Sequence, residues 1–171
     1  MRIMEITKRE IKTLEERTFP SEICFKPIGI MHSPFKSLKG VPIQPSVSED
    51  KGLIEIFPQY KLALKDLDKF GFIICIFHFD MVKLPIPLQS KPFLDDEEHG
   101  VFAIRTPFRP NPIGFSILKL TQIIEHELHV ENVDILDNTP ILDIKPYVPH
   151  FDVRETEKIG WLQGKIKKKL S

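Results

Sequence analysis

The sequence predicts a mainly β domain, antiparallel and arranged as a barrel or a sandwich, with few and short helices. Three observations carry this. About six or seven short segments show apolar or alternating patterns, separated by turn signals at the spacing of all-β domains. The 171 residues include 15 prolines, several of them close together: Pro42 and Pro45, Pro85 and Pro87, Pro110 and Pro112. Proline removes a backbone donor and clashes with the preceding turn, so long helices cannot run through such segments. Finally, the strand–helix alternation of a doubly wound parallel sheet is missing.

In chain order, residues 1–20 are charged, with Ile3, Ile6, Ile11 and Leu14 at roughly helical spacing, which reads as a short amphipathic helix or a loose arm. A strand falls within Ile23–Met31, interrupted by Pro27, and a loop rich in Pro, Gly and Ser follows from His32 to Ser48. Leu53–Phe57 is a strand. Gln59–Phe70 suits one short helix, with Leu62, Leu64, Leu67 and Phe70 as its apolar residues. Phe72–Phe79 is almost continuously apolar, the pattern of a strand buried on both faces. Lys83–His99 is a proline-broken loop ending in acids, and Val101–Arg105 a short strand. Ile113–Ile124, Glu127–Leu136 and Pro140–Lys145 complete the strands. The parts are an N-terminal extension over 1–24, a β domain over 25–151 and a basic tail over 152–171, with Trp161 and then Lys165, Lys167, Lys168 and Lys169.

Composition narrows the function. Hydrophobic content of 42% supports a core, and a formal net charge of zero means that attraction to nucleic acid must come from local clusters. The apolar runs are too short to cross a bilayer, and the charged N-terminus lacks a secretory core, so the cytoplasm is the expected compartment. Cys24 and Cys75, far apart, read as buried thiols and not as a disulfide framework. The eight glycines form neither a dinucleotide fingerprint nor a P-loop. His126 and His129 lie three apart in strand-like sequence, on opposite faces, which suits solvent or turn positions and not a shared metal. No metal site is expected.

Three segments bear chemistry. In Arg105-Thr106-Pro107-Phe108-Arg109-Pro110-Asn111-Pro112-Ile113-Gly114, three prolines fix torsions and bias their neighbours to extended backbone, so the loop loses little entropy on ordering around a ligand. Arg105 and Arg109 offer guanidinium forks for carboxylate, phosphate or base stacking. Asn111 both donates and accepts, as an adenine edge requires, and Gly114 permits a close approach or a sharp turn. A rigid turn with solvent-facing arginines is the alternative. The second segment, Asp137-Asn138-Thr139-Pro140, opens a turn before a stretch in which a buried Asp143 would need a partner such as Arg105 or Arg109; a structural turn with a surface ion pair would explain it as well. The third is Phe77-His78-Phe79-Asp80, where a buried strand runs into a loop.

Together, Gly100–Arg105, Phe108–Gly114 and Leu136–Tyr147, with Pro27-Ile28-Gly29-Ile30, His32-Ser33-Pro34 and Pro42-Ile43-Gln44 near the start, resemble the TrmO/TsaA family of S-adenosylmethionine-dependent tRNA methyltransferases, over roughly Phe25 to Phe151. The resemblance implies a single-sheet antiparallel β-barrel, a homodimer with its active site near the interface, S-adenosyl-L-methionine as cofactor, and methylation of N6 of threonylcarbamoyl-adenosine beside a tRNA anticodon. It places cofactor contacts on Pro42, Ile43, Gln44, His78, Phe79, Arg105, Phe115, Asp137, Asn138, Thr139 and Pro140. The chain departs from the family at Ile43, where arginine is frequent, at Phe79, where a polar residue is frequent, and at Asn138, where glycine is usual; asparagine best replaces glycine in a left-handed turn.

The expected reaction is an in-line displacement at a sulfonium methyl, which needs alignment and no metal. Asn111 or Asp143 is the expected proton acceptor, and Arg109, Lys145, Lys165, Lys167 and Lys168 the expected substrate and tRNA contacts. Two other classes compete: a module that senses S-adenosylmethionine without catalysis, and a metal-dependent hydrolase built on His78, Asp80 and Asp95–His99.

Overall fold

The computed structural model describes residues 18–37, 48–83 and 85–166. The expected N-terminal helix, Pro42 to Gln44, and Lys167 to Lys169 lie outside them. Six strands close into one antiparallel barrel. In chain order the strands are β1 (Gly29–His32), β2 (Lys51–Ile56), β3 (Phe72–His78), β4 (Gln89–Ser90), β5 (His99–Gly100), β6 (Ile113–Ile124), β7 (Glu127–Glu131) and β8 (Pro140–Pro146), followed by a single-turn helix α1 (Pro149–Asp152). The barrel order is β1-β2-β7-β6-β3-β8, and β4 pairs β5 in a separate ribbon. This is the predicted single-sheet barrel; the ribbon was not foreseen.

Alternation builds the core. Ile73, Cys75 and Phe77 of β3 face inward with Leu118 and Leu120 of β6, Leu128 and Val130 of β7, Ile54 and Ile56 of β2, Met31 of β1 and Ile141 of β8. Each buried aliphatic or aromatic side chain contributes about 1.5–3 kcal/mol. The apolar run of β3 is buried on one face only: Ile74 and Ile76 are half-buried and Phe72 is 40% exposed. A small barrel fills only its inside, so the outward side chains of even its most apolar strand stay partly wet.

Three further expectations are corrected. Gln59–Phe70 is not one α-helix but two 3-10 segments, Pro58–Leu64 and Leu67–Lys69, broken where Asp66 adopts φ 67°. Leu64, Leu67 and Phe70 nonetheless line one groove across the break, while Leu62 is 92% exposed. Val101–Arg105 is not a strand: Val101–Ala103 forms a 3-10 turn, and the buried residues Val101 and Ile104 are three apart, a helical spacing. Finally, β7 stops at Glu131 because Asn132 turns left-handed, φ 65°. Val133 and Ile135 beyond it are buried as anchors of a loop.

The topology sorts the connections. Strand ends His32, His78 and Glu131 and strand starts Lys51, Ile113 and Pro140 lie at one rim, joined by three long loops: 33–50, 79–112 and 132–139. The opposite end carries the 3-10 segments and the tight Glu125-His126 turn. At the rim Gly114 and Ile141 both pair with Phe77, one on each side, and the space a Cβ on Gly114 would need is filled by the Phe77 ring, 2.1 Å away. The close approach expected of Gly114 is to this ring.

Candidate functional site

The rim gathers most of the residues the sequence singled out. His78 ends β3, where it pairs with Ile113 of β6. The next residue, Phe79, donates its backbone N–H to Pro112 O at 2.8 Å and meets Phe77 edge-on with ring centroids 5.1 Å apart. The proline-stiffened loop is therefore tied to the end of β3. Phe115 lies two residues inside β6, opposite Ile76, and is 50% exposed. Arg105 is exposed and forms no ion pair among the described residues. Arg109 reaches back to Ile104 O at 3.4 Å. Asn111 is exposed, and its carbonyl accepts from Ile113 N–H at 2.7 Å in a tight turn.

The second wall is the segment 137–140. The Asp137 carboxylate, 9% exposed, accepts the Ser33 N–H at 3.0 Å and pairs with Lys36 at 2.7 Å. Lys36, then desolvation working against it, then the Ser33 N–H set a net shift below the ordinary carboxylate range. Asn138 N–H donates to Met31 O at 2.8 Å, and Thr139 O accepts from Met31 N–H at 3.0 Å. Asn138 has φ 63°, the left-handed turn for which asparagine was expected to stand in for glycine. Thr139 is buried. Pro140, without an N–H, starts β8 opposite Ile30. Ser33 and Lys36 fasten this wall to the segment that follows β1.

Asp143 is level with Phe115 across β3 but takes a different partner from the one expected. It lies beyond a register shift at Ile76/Phe77, opposite Ile76, and pairs with Lys145 at 2.6 Å, both groups about half exposed. Neither expected partner, Arg105 or Arg109, pairs with it; Lys145 does, because residues two apart on one strand share a face. Asp143 also borders a groove of about 360 Å³, lined mainly by Ile28, Tyr60, Leu64, Leu67 and Phe70, between the 3-10 segments and the start of β1. None of the signature-loop residues lines it.

Lys165 is likewise engaged, with Asp95, which also accepts from His99 at 3.1 Å. Of the cluster Asp95–His99, Asp95 is thus taken up by Lys165 and His99. Among the described residues no group of three His, Cys, Asp or Glu could hold a metal, and no helix is long and apolar enough to cross a membrane. Cys75 is buried, and desolvation pushes its thiol up, away from reactivity; Cys24 is exposed, against expectation. His126 lies at the β6–β7 turn, while His129, on the outer face of β7, has its Nε2 covered without a hydrogen-bond partner among the described residues.

One rim residue escaped the sequence reading. Asp134 accepts a hydrogen bond from buried Ser116 Oγ at 2.7 Å, next to Phe115, and burial raises its carboxyl to about 6 against that hydrogen bond. Its signal was an acid between two aliphatics, Val133 and Ile135, in a stretch read as strand.

Residues 30–153 match the tRNA-methyltransferase O N-terminal domain. A Pyrococcus abyssi protein named as a probable S-adenosyl-L-methionine-binding protein is 51% identical over 87% of this chain and 81% of its own length. The tRNA (adenine(37)-N6)-methyltransferase of Escherichia coli is 36% identical over 75% of this chain, which spans 59% of that enzyme. The crystal structure of TrmO from Pseudomonas aeruginosa superposes with a TM-score of 0.68 at 31% identity, over 82% of this chain and 62% of that one.

Proposed function

Because the chain belongs to the tRNA-methyltransferase O family, we propose that it is an S-adenosylmethionine-dependent tRNA methyltransferase. The target is N6 of threonylcarbamoyl-adenosine beside the anticodon. One observation carries this reading: the ends of β3, β6 and β8 bring His78, Phe115 and Asp137–Pro140 to one rim, beneath the loop of Arg105 and Asn111.

The residues present fit such a cofactor. Phe79 and Phe115 offer aromatic faces to a purine or a thioether, the backbone of 137–140 is held rigid by its bonds to Met31 and Ser33, and the exposed guanidinium of Arg105 suits a carboxylate. The bound sulfonium supplies an activated methyl group. The protein aligns N6 with it and excludes water, a contribution worth on the order of 7 kcal/mol or more. Asn111 presents its amide on a fixed backbone to the adenine edge, and Arg109 faces the substrate's carboxylate or phosphate. A nearby acceptor would take the N6 proton; of the two candidates, Asn111 is exposed in the signature loop and Asp143 is already paired with Lys145.

The chain works as a homodimer in the cytoplasm, in this reading. The homodimer's support is the apolar surface of loop 79–112, where Phe93 is 83% and Phe102 80% exposed, side chains that a partner subunit would cover. Sedimentation of a monomer at micromolar concentration refutes it.

The decisive experiment is mass spectrometry of tRNA nucleosides from cells with and without the protein, paired with calorimetry of S-adenosylmethionine binding. A methylated threonylcarbamoyl-adenosine that depends on the protein supports the proposal. Binding heat without any methylated nucleoside would instead identify a sensing module, consistent with the name of the Pyrococcus relative. Arg105→Ala with unchanged affinity removes Arg105 from the cofactor site.

A further inference from the structure

The family match ends at residue 153, yet the chain beyond it returns to the site. Gly160–Leu162 forms a 3-10 turn, and Gly160 and Gly164, at φ 62° and 77°, provide left-handed bends that fold the segment back. Three contacts then join it to loop 79–112. Trp161 Nε1–H donates to Ala103 O at 2.8 Å. The indole stacks on His99 with centroids 4.8 Å apart and planes 18° from parallel. Lys165 meets the Asp95 carboxylate, whose same oxygen contacts His99 Nε2. Asp95 and His99 are 10% and 17% exposed as side chains, so this small cluster is largely shielded from water.

Its location matters. Ala103 closes the turn that leads directly into Arg105. On its own side the loop is anchored by Val101 and Ile104, both buried. On the other side, the hydrogen bond from Trp161 is what holds the Ala103 carbonyl. A loop with one anchored side and one free side has to be ordered when a ligand binds, and that ordering lowers affinity.

We propose that the C-terminal segment is a strap over the signature loop, and that Trp161 is a positioning residue that sets Arg105 through the Ala103 carbonyl. This rests on the reading of Arg105 as a cofactor contact. It also gives Lys165 a role different from an RNA contact: its ammonium fastens the strap to Asp95. Trp161 is the sole tryptophan of the chain, so its emission reports the strap directly.

The test uses the full chain and its Trp161→Phe, Trp161→Ala and Asp95→Asn variants. Hydrogen exchange over residues 95–109 is measured first, without ligand. Exchange there rises in Trp161→Ala while β2, β3 and β6 stay protected, and Asp95→Asn shifts the tryptophan emission to the red. Unchanged exchange in Trp161→Ala overturns the strap whether or not the protein binds S-adenosylmethionine. Calorimetry with S-adenosylmethionine follows. Losing a hydrogen bond and a ring stack corresponds to about a tenfold weaker Kd for Trp161→Ala, with Trp161→Phe, which keeps the stack, in between. Wild-type protein that gives no binding heat refutes the cofactor reading and leaves the exchange result to decide the strap. Wild-type binding matched by Trp161→Ala refutes the positioning role alone.

Discussion

Replacing Gly114 with alanine sets a methyl group where the edge of the Phe77 ring now lies. A Cβ there stands 2.1 Å from Cε2, 2.3 Å from Cζ and 2.7 Å from Cδ2 of Phe77. Carbon atoms in contact sit near 3.5–4.0 Å, so the ring has to retreat by roughly 1.5 Å. It cannot swing into solvent, being 4% exposed, and its far side is closed by Phe79, edge-on at 5.1 Å. Overpacking of this kind costs about 1–3 kcal/mol. Taking about 2 kcal/mol, with about 2–4 °C per kcal/mol for a chain of this size, the melting temperature falls by about 4–8 °C. The displacement also reaches the site, because Phe79 holds Pro112 through its N–H, so affinity for S-adenosylmethionine falls in parallel. Thermal unfolding and calorimetry of Gly114→Ala, Phe77→Leu and the double variant make the assay. Leucine relieves the clash, so the double variant is more stable than the sum of the two losses predicts. If Gly114→Ala melts with the wild type, or the two losses simply add, the packing argument is wrong.

Asp134 predicts a pH dependence. Burial raises its carboxyl from 3.8 to about 6, so on acidification the folded protein takes up this proton before the unfolded chain does. This group therefore adds stability below pH 4 and loses it as the pH climbs through about 6. The full shift would amount to about 3 kcal/mol, and partial exposure reduces it to about 1–2 kcal/mol; Asp134→Asn should be more stable than wild type at pH 7.5, with the difference shrinking as the pH falls from about 6 and vanishing below about 4 in urea titrations. Asp137→Ala strips the Ser33 N–H of its acceptor and should cost about 1–3 kcal/mol, whereas Lys36→Ala, whose ammonium is 71% exposed, should cost under about 1 kcal/mol; equal losses in thermal unfolding would mean that the ion pair, not the N–H, holds the wall. Asn138→Gly should be neutral or slightly stabilising and Asn138→Ala destabilising by about 1 kcal/mol, because φ is 63° there; the reverse order of denaturation midpoints contradicts the left-handed assignment.

The barrel strands were legible because β2, β3, β6 and β8 each carry enough aliphatic residues to reveal a face. Less legible was everything that depends on a partner distant in sequence. The extent of burial of Phe72–Phe79 depended on whether a second layer covers the outer face, which alternation within one strand cannot report. The turn at Val101 was hidden because a 3-10 turn and a strand of five residues differ by a single inward position. For the site, Asn138 announced its left-handed turn by residue type, and the grouping of His78, Phe115 and Asp137–Pro140 followed from motifs and not from local pattern. Lys165 and Asp95, 70 residues apart, gave no local hint of their contact, and neither did Ser116 and Asp134. Asp143 was assigned the wrong cation because Lys145, its actual partner, stood two residues away on the same face.

The closing seam of the barrel has a consequence for the life of the chain. β8 meets β1 at only two residue pairs, Gly29 with Ile141 and Ile30 with Pro140, reinforced by bonds from Ile28 and Met31 to Ile141 and Thr139. These partners lie about 110 residues apart along the chain, and such distant contacts form late. Until β8 arrives, neither the 137–140 wall nor the far flank of Phe77 exists. A nascent or C-terminally truncated chain can thus hold most of its strands and still lack a pocket, so cofactor capture would mark the moment at which the protein is finished.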